Sequence, residues 1–314
     1  MSIGAYEPGT VPVRVRAAGK VNIHLGVGEL QDDGYHELAT AFQALSLYEE
    51  VTATAAEDFS LTVESDGFID VTDVPVDDSN LALRAARLLA QSTGVTSGVH
   101  LHIRKGVPVA GGMGGGSADA AAALVACDAL WDTRQSSAQL HELAARLGAD
   151  VPFALLGGTA IGTGRGDELT PALTQGRFDW VLVPSEVGMS TPQVYGVLDE
   201  IRIRHRADLP VVPLRPRVDD EVLHALRAGD SRRLAEALGN DLQVAALSLR
   251  PDLADTIDAG LRAGALAGIV SGSGPTIALL CADATAALAV RDELAAAGYV
   301  GVHAHGPVPG ARIV

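Results

Sequence analysis

The segment Pro108-Val109-Ala110-Gly111-Gly112-Met113-Gly114-Gly115-Gly116-Ser117-Ala118-Asp119 holds five glycines in six consecutive residues. Such a run does not pack a core. It lets the backbone take positive φ and crowd against a ligand. Ser117 opens an alanine-rich stretch with helical character, and the free amides and dipole of a helix start favour an anion. A glycine loop feeding a helix N-terminus is a phosphate cradle. Neither G-x-x-x-x-G-K-[ST] nor G-x-G-x-x-G occurs in the chain, so it is not a P-loop or a dinucleotide fingerprint. Nor is Ser117 a nucleophile elbow, because Asp119 stands where that motif needs glycine.

Three further segments could do chemistry. Gly19-Lys20-Val21-Asn22 lies in extended sequence, where residues two apart share a face. Lys20 and Lys105 are the only two lysines, and every other basic side chain is arginine. A lysine where arginine is the default hints at a use for a compact ammonium. Taken alone, Lys20 reads as a surface lysine or as such a site residue. Ser271-Gly272-Ser273-Gly274-Pro275-Thr276 reads as a strand connection or as a second loop whose amides approach a phosphate. Asp150 follows Gly148-Ala149 at the end of a predicted helix, an unfavourable place for a carboxylate. Apolar neighbours surround it, so it reads as a turn residue or as a functional acid.

These segments must be held by regular elements. Alternation predicts strands over 11–16 and 21–27, a third over 41–55 broken near 48–50, and a fourth over 99–105. Residues 57–79 are acidic and turn-rich, and helices are predicted over 81–92, 117–131 and 136–147. Beyond the glycine-rich 157–166 come a buried strand at 180–184, a helix over 191–203 and an Arg- and Pro-rich exposed stretch over 204–217. Three or four helices lead to Gly264. A strand, loop and strand over 266–281, a helix over 284–297 and a strand near 299–305 complete the pattern. Strands and helices mix without βαβ spacing, which predicts an α+β fold with a domain boundary near residue 168.

Composition narrows the function classes. The 314 residues carry 23 Lys and Arg against 39 Asp and Glu, a net charge of −16, which argues against nucleic acid as a partner. Two cysteines exclude a disulfide scaffold and any four-cysteine metal site, and read as buried residues of a cytoplasmic protein. The first residues show no basic start followed by an apolar run. The longest uncharged stretch, 263–282, is interrupted by glycine, serine and proline, so no membrane span is expected.

Together the chemical segments resemble the superfamily of galactokinase, homoserine kinase, mevalonate kinase and phosphomevalonate kinase. Ala18 to Asn22, Pro108 to Asp119 and Ser271 to Thr276 match its three motifs in order, across nearly the whole chain. Asp33-Gly34-Tyr35-His36-Glu37-Leu38, Phe42 to Leu47, Ala149 to Phe153 with Gly157 to Ala160, and Ser190-Thr191-Pro192 with Tyr195 resemble one branch of it. That branch phosphorylates a tertiary alcohol of cytidine diphosphate methylerythritol. The chain departs from the pattern at Ala18-Gly19, where Pro-Ala is usual, and at Ala110, where glycine is frequent.

The resemblance implies an N-terminal ATP-binding domain (1–168) like ribosomal protein S5 domain 2, and a ferredoxin-like substrate-side domain (169–314), with the site in the cleft between them. It implies ATP with Mg²⁺, a small-molecule substrate and a monomer or homodimer, and leaves the metal ligands open. Asp150 would be the general base and Lys20 would orient it and the alcohol. Asn80 would bind adenine, and Pro108 through Ala118 would hold the phosphates through backbone amides, with Asp119 as a helix cap. Asn22, Thr191 and the loop Gly272-Ser273-Gly274 would contact the substrate. His36 would read the cytosine edge, with Tyr35 and Tyr195 stacked on the base.

Overall fold

The computed structural model describes residues 11–65, 69–109, 111–185, 187–208 and 211–314. Two long strands organise its first half: β1 (Val13–Leu30) and β2 (His36–Ala56), paired antiparallel along most of their length. The two early strands predicted from alternation are therefore one. The chain runs straight through Gly19 and Lys20, with register shifts at Ala18/Lys20 and Asn22/His24. Such bulges bend a strand and re-aim its side chains without ending it, which alternation alone does not reveal. β2 likewise continues through Tyr48–Glu50.

The sheet is extended by β3 (Ser60–Ser65) and β4 (Gly98–Lys105), giving the order β12-β1-β2-β4-β3, where β12 is Arg312–Ile313. Short β5 (Thr159–Thr163) and β6 (Glu168–Pro171) pair with each other and join through β5 to β2, while β8 (Gly239–Asn240) joins β1. The helices α1 (Leu81–Thr93), α2 (Gly115–Leu130), α3 (Ser137–Ala145) and α4 (Val151–Leu156) cover one face. Alanines 118, 120–123 and 126 of α2 are all fully buried. Their small side chains let the helix backbone lie close to both the sheet and α1, with Leu89, Leu101, Ile103 and Leu124 filling the core.

The second half holds four antiparallel strands in the order β11-β7-β10-β9: β7 (Phe178–Val183), β9 (Ala267–Val270), β10 (Ile277–Cys281) and β11 (Val302–Gly306). Ranked by sequence that order is 4-1-3-2, the ferredoxin-like arrangement. Between the first two strands run α5 (Thr191–Arg204), α6 (Asp220–Ala228), α7 (Ser231–Ala237), α8 (Gln243–Leu249) and α9 (Asp252–Arg262), and α10 (Ala284–Ala296) joins the last two. Cys127 and Cys281 are buried and unpaired. Among the described residues no helix is long and apolar enough to cross a membrane.

The two sheets share a core. Val21, Ile23 and Leu45 from β1 and β2 pack with Phe178, Trp180, Leu182 and Leu280. Trp180 satisfies its buried indole by donating to Gln43 Oε1 at 3.0 Å. The chain end then returns to the first sheet, an element that the sequence pattern does not show. Ala311 N donates to Ala154 O at 2.9 Å, and Gly158 N to Val308 O at 2.7 Å, which clamps α4. A Cβ on Gly310 would lie 2.2 Å from Leu155 O, so the strap fits only as bare backbone. Gly310→Ala must push it off α4 and is expected to cost about 1–3 kcal/mol, the usual range for overpacking. Urea unfolding of the two proteins measures the difference, and an unchanged midpoint excludes the clamp.

Candidate active site

The bulge in β1 aims Lys20 and Asn22 into a cavity of about 330 Å³ between the two halves of the chain. Lys20 N donates to Met113 O at 2.9 Å, which ties the strand to the glycine-rich loop. Met113 itself is buried in the core between the sheets and anchors that loop. Gly19 answers to the same packing: a Cβ there would stand 3.0 Å from both methyls of Val107.

The lysine head is positioned by a directional relay. Its Nζ donates to Asn22 Oδ1 at 2.7 Å, Asn22 Nδ2 donates to Thr40 Oγ1 at 2.8 Å, and that hydroxyl donates to His24 O at 2.8 Å. Thr40 thus fixes which end of the Asn22 amide faces the lysine. An ammonium has three donors. The second faces Asp150 Oδ2 at 3.6 Å, leaving one for a ligand.

Asp150 is not at the end of a helix, as its sequence position suggests. It is the N-cap residue of α4, and its side chain makes no cap bond. Gly148 and Ala149 separate it from the preceding helix, so it stands at the favourable pole of α4 with a free carboxylate. The phenol of Tyr195 lies nearby, pushed up to about 12 by burial and by the charge of Asp150.

The glycines are where backbone must come close. Gly114 caps α2 at φ 72°. A Cβ on Gly112, also at φ 72°, would lie 2.5 Å from Ser271 O, so the two small-residue loops touch. A Cβ on Gly272, at φ 59°, would sit 3.1 Å from Asn22 Oδ1 and 3.4 Å from Lys20 Nζ. Asn240, which the sequence pattern does not single out, pins this second loop by donating to Val270 O at 2.8 Å and Gly272 O at 2.7 Å. Ser273 and Thr191 share a hydroxyl contact of 2.8 Å across the cavity wall.

The first turn of α2 carries no acidic side chain, so its unpaired amides present uncompensated positive potential. Ala118 is an exception among the residues expected to hold phosphate, because its N–H is already spent on Gly114 O at 2.8 Å. Ser117 lines the cavity, and Ala110 lies outside the described residues. Pro108 and Val109 precede this turn, and Val109 is exposed.

The remaining expected residues lie outside the cavity wall. Asn80 is the N-cap of α1: its Oδ1 accepts from Ala82 N at 2.9 Å and its Nδ2 donates to Pro75 O at 2.7 Å. An open cleft lined by Phe59 and residues 76–79 lies beside it. His36 is buried and donates from Nδ1 to Gly28 O at 2.9 Å, while Nε2 faces Asp199 at 3.3 Å and the ring stacks on Tyr195. Tyr35 is exposed, with the guanidinium of Arg165 on its ring.

Comparison with known proteins gives this arrangement a lineage. Residues 80–158 match the GHMP kinases N terminal domain and residues 222–300 the GHMP kinases C terminal domain. A 4-diphosphocytidyl-2-C-methyl-D-erythritol kinase of Clavibacter michiganensis subsp. michiganensis is 59% identical over 96% of both chains. One of Rhodococcus jostii is 54% identical over 96% of this chain and 95% of its own. The chain belongs to the 4-diphosphocytidyl-2-C-methyl-D-erythritol kinase family. A crystal structure of 4-(cytidine 5'-diphospho)-2C-methyl-D-erythritol kinase superposes with a TM-score of 0.73 at 30% identity, covering 93% of this chain and 98% of that one. Mevalonate kinase of L. major shares the fold at 16% identity, with a TM-score of 0.72 over 96% and 98% of the two chains.

This member of the GHMP kinases places a buried ion cluster directly beneath its glycine-rich loop. Lys105 Nζ lies 2.6 Å from Asp119 Oδ2 and 2.7 Å from Glu49 Oε1, all three side chains almost fully buried. Asp119 is therefore no helix cap but half of a two-carboxylate clasp. Gly115 is required above it, since a Cβ there would meet Glu49 Oε1 at 2.8 Å. Burial, then the charge of Asp119, pushes Glu49 up to about 8, and burial also raises Asp119. For Lys105 burial opposes the charged form, but Asp119 and Glu49 outweigh it and its pKa rises. Burial thus favours the protonated form of both carboxylates, and the charge of Lys105 opposes it.

The pH dependence has a definite sign. Glu49 binds its proton more tightly folded than unfolded, so between about 4.5 and about 8 its share of the stability falls as pH rises. Glu49→Gln is expected to flatten that slope, whereas Lys105→Met strands the carboxylates and is expected to cost about 3–5 kcal/mol. Denaturant midpoints of the three proteins at a series of pH values test both statements.

Proposed function

We infer that this kinase transfers the γ-phosphoryl group of ATP to the 2-hydroxyl of 4-diphosphocytidyl-2-C-methyl-D-erythritol, a step of non-mevalonate isoprenoid precursor biosynthesis. The observation that carries the reading is the Lys20–Asp150 pair at 3.6 Å, set in one cavity with Gly114 and Ser117 at the start of α2. An acceptor hydroxyl needs a base and a cation beside it. A phosphoryl donor needs amides and a helix pole. The cavity supplies both within one wall.

Phosphoryl transfer depends on positioning and charge stabilisation rather than on covalent catalysis by the protein. The amides of Gly115, Gly116 and Ser117 hold the donor's phosphates, with Gly111, Gly112 and Gly114 shaping the turn. Lys20 directs its remaining N–H at the acceptor oxygen and keeps the Asp150 carboxylate turned toward it. Asp150 takes the hydroxyl proton as the new P–O bond forms. The Ser117 hydroxyl suits a hard cation brought in on phosphates. Mg²⁺, when bound, neutralises phosphate charge during transfer.

Residues 1–168 form the ATP side in this reading and 169–314 the substrate side, with Thr191, Tyr195 and Gly272-Ser273-Gly274 facing the substrate. Asn80 closes the adenine end through the helix it caps. Tyr35, His36 and Tyr195 receive cytosine, by stacking and by edge hydrogen bonds that other bases do not match. The reaction is assigned to the cytoplasm, in keeping with the two unpaired cysteines.

A coupled ADP-release assay with Mg-ATP tests the assignment, with the cytidylyl substrate set against mevalonate, homoserine and galactose. Turnover confined to the cytidylyl alcohol is the expected result, and a preference for another alcohol overturns the base-binding assignments. Asp150→Asn is expected to lower kcat by about 10²–10⁴-fold, the range for loss of general-base catalysis. Its ATP affinity should hardly change. Lys20→Met should behave likewise, and near-normal turnover in either variant removes that residue from the mechanism.

A further inference from the structure

Among the described residues that line the cavity, two carry positive charge, Lys20 and Arg165. Lys20 is committed to Asn22 and Asp150. Arg165 has no carboxylate partner in the cavity wall. It sits at the tip of the β5–β6 turn between Gly164 and Gly166, both at positive φ (67° and 94°), which sets the turn sharply. The turn is fixed to the sheet by Leu38 N donating to Gly164 O at 2.7 Å, two residues from His36. Arg165 is thereby anchored on the β2 side of the cavity, near the segment assigned to the base.

Its guanidinium carbon lies 3.8 Å from the centre of the Tyr35 ring. Asp33 holds both partners: Oδ1 accepts from Tyr35 N at 3.0 Å and Oδ2 faces Arg165 at 3.3 Å. Both side chains of that ion pair are more than half exposed, so water screens it and it neutralises little of the arginine's charge. Arg165 lines the cavity, which brings its side chain within reach of a ligand there.

We propose that Arg165 is a substrate-contact residue of this enzyme, whose guanidinium, carried on the Tyr35 ring, binds the diphosphate joining cytidine to the sugar alcohol. The inference rests on the cytidylyl reading above. A diphosphate entering a cavity of a chain with net charge −16 needs a local cation, and Lys20 is occupied at the reacting end. A planar guanidinium can stack on an aromatic face while its N–H fork grips phosphate oxygens, which an ammonium does less well.

The test separates diphosphate from base. Binding of CDP and of cytidine is measured by calorimetry for the wild type, Arg165→Ala and Arg165→Lys, alongside steady-state kinetics. The wild type should prefer CDP to cytidine. Arg165→Ala should lose about tenfold or more for CDP and keep its cytidine affinity, as expected for a lost charge-assisted phosphate contact. KM for the cytidylyl substrate should rise in step, with KM for ATP unmoved, and Arg165→Lys should recover part of the loss. Equal losses for CDP and cytidine would show that Arg165 serves the base through Tyr35 and overturn the proposal. So would an Arg165→Ala protein that keeps the wild-type preference for CDP. A wild type that binds neither ligand and phosphorylates another alcohol overturns the cytidylyl reading itself.

Discussion

Everything in the site depends on holding an ammonium almost out of water beside a carboxylate, at a point where three backbones converge. Only 8% of the Lys20 side chain is exposed. A buried cation is tolerable when its donors are satisfied by fixed acceptors, and the Asn22–Thr40–His24 relay supplies the fixed geometry. That relay needs β1 to be bulged, since an unbroken ladder would spend Lys20 N on β2 rather than on Met113. It also needs glycine at 112 and 272, because any Cβ there collides with the opposite loop or crowds the lysine head. The bulge, the two loops and the relay are therefore one constraint.

A net charge of −16 is at first sight hostile to two polyanionic substrates. The structure separates the global charge from the local field. Acidic residues are paired away, as in the Arg177–Asp179–His303 and Arg233–Glu221 contacts, or exposed in turns such as Asp70 and Asp77. The Lys105 clasp is the telling case. It lies under the glycine-rich loop, where two ionised carboxylates and one ammonium would add a net negative charge against the helix pole. Burial raises the Glu49 carboxyl to about 8, which favours its protonated form and lessens that charge.

The motifs were legible because the chemistry demands residue types that few other environments demand. Glycine runs, one of only two lysines in an arginine-rich chain and the Asp150 segment stand out without any knowledge of contacts. The succession of short apolar runs and helices in the second half was also readable, but its ferredoxin-like strand order came only with the resemblance. Lys20 and Asn22 were readable as a pair, but not the bulge that places them, because a register shift is fixed by the partner strand and leaves the alternation intact. Thr40, Asn240 and Arg165 were missed for a related reason. Each is an ordinary residue type whose role comes from a partner far along the chain: Asn22, Gly272 and Tyr35. The environment of Asp150 was misread because a six-residue helix opening with Val-Pro is too short to show a period.

The contact between the halves limits how the enzyme can move. A hinge between independent domains would leave a polar seam, whereas Val21, Ile23, Phe178, Trp180 and Leu182 form one dry core across it. The two loops that frame the cavity also touch, with Ser271 donating to Gly112 O at 3.4 Å. Opening the seam would expose that core and break the Trp180–Gln43 bond. Substrate entry is therefore left to the solvent-facing end of the cavity, where the Tyr35 and Arg165 side chains are exposed. That end carries the groups assigned to cytidine and its diphosphate, while the reacting end, built on β1, α2 and α4, stays fixed. Fixed geometry where the bond forms and solvent-reachable groups where the handle is grasped follow from which contacts are apolar and which are screened by water.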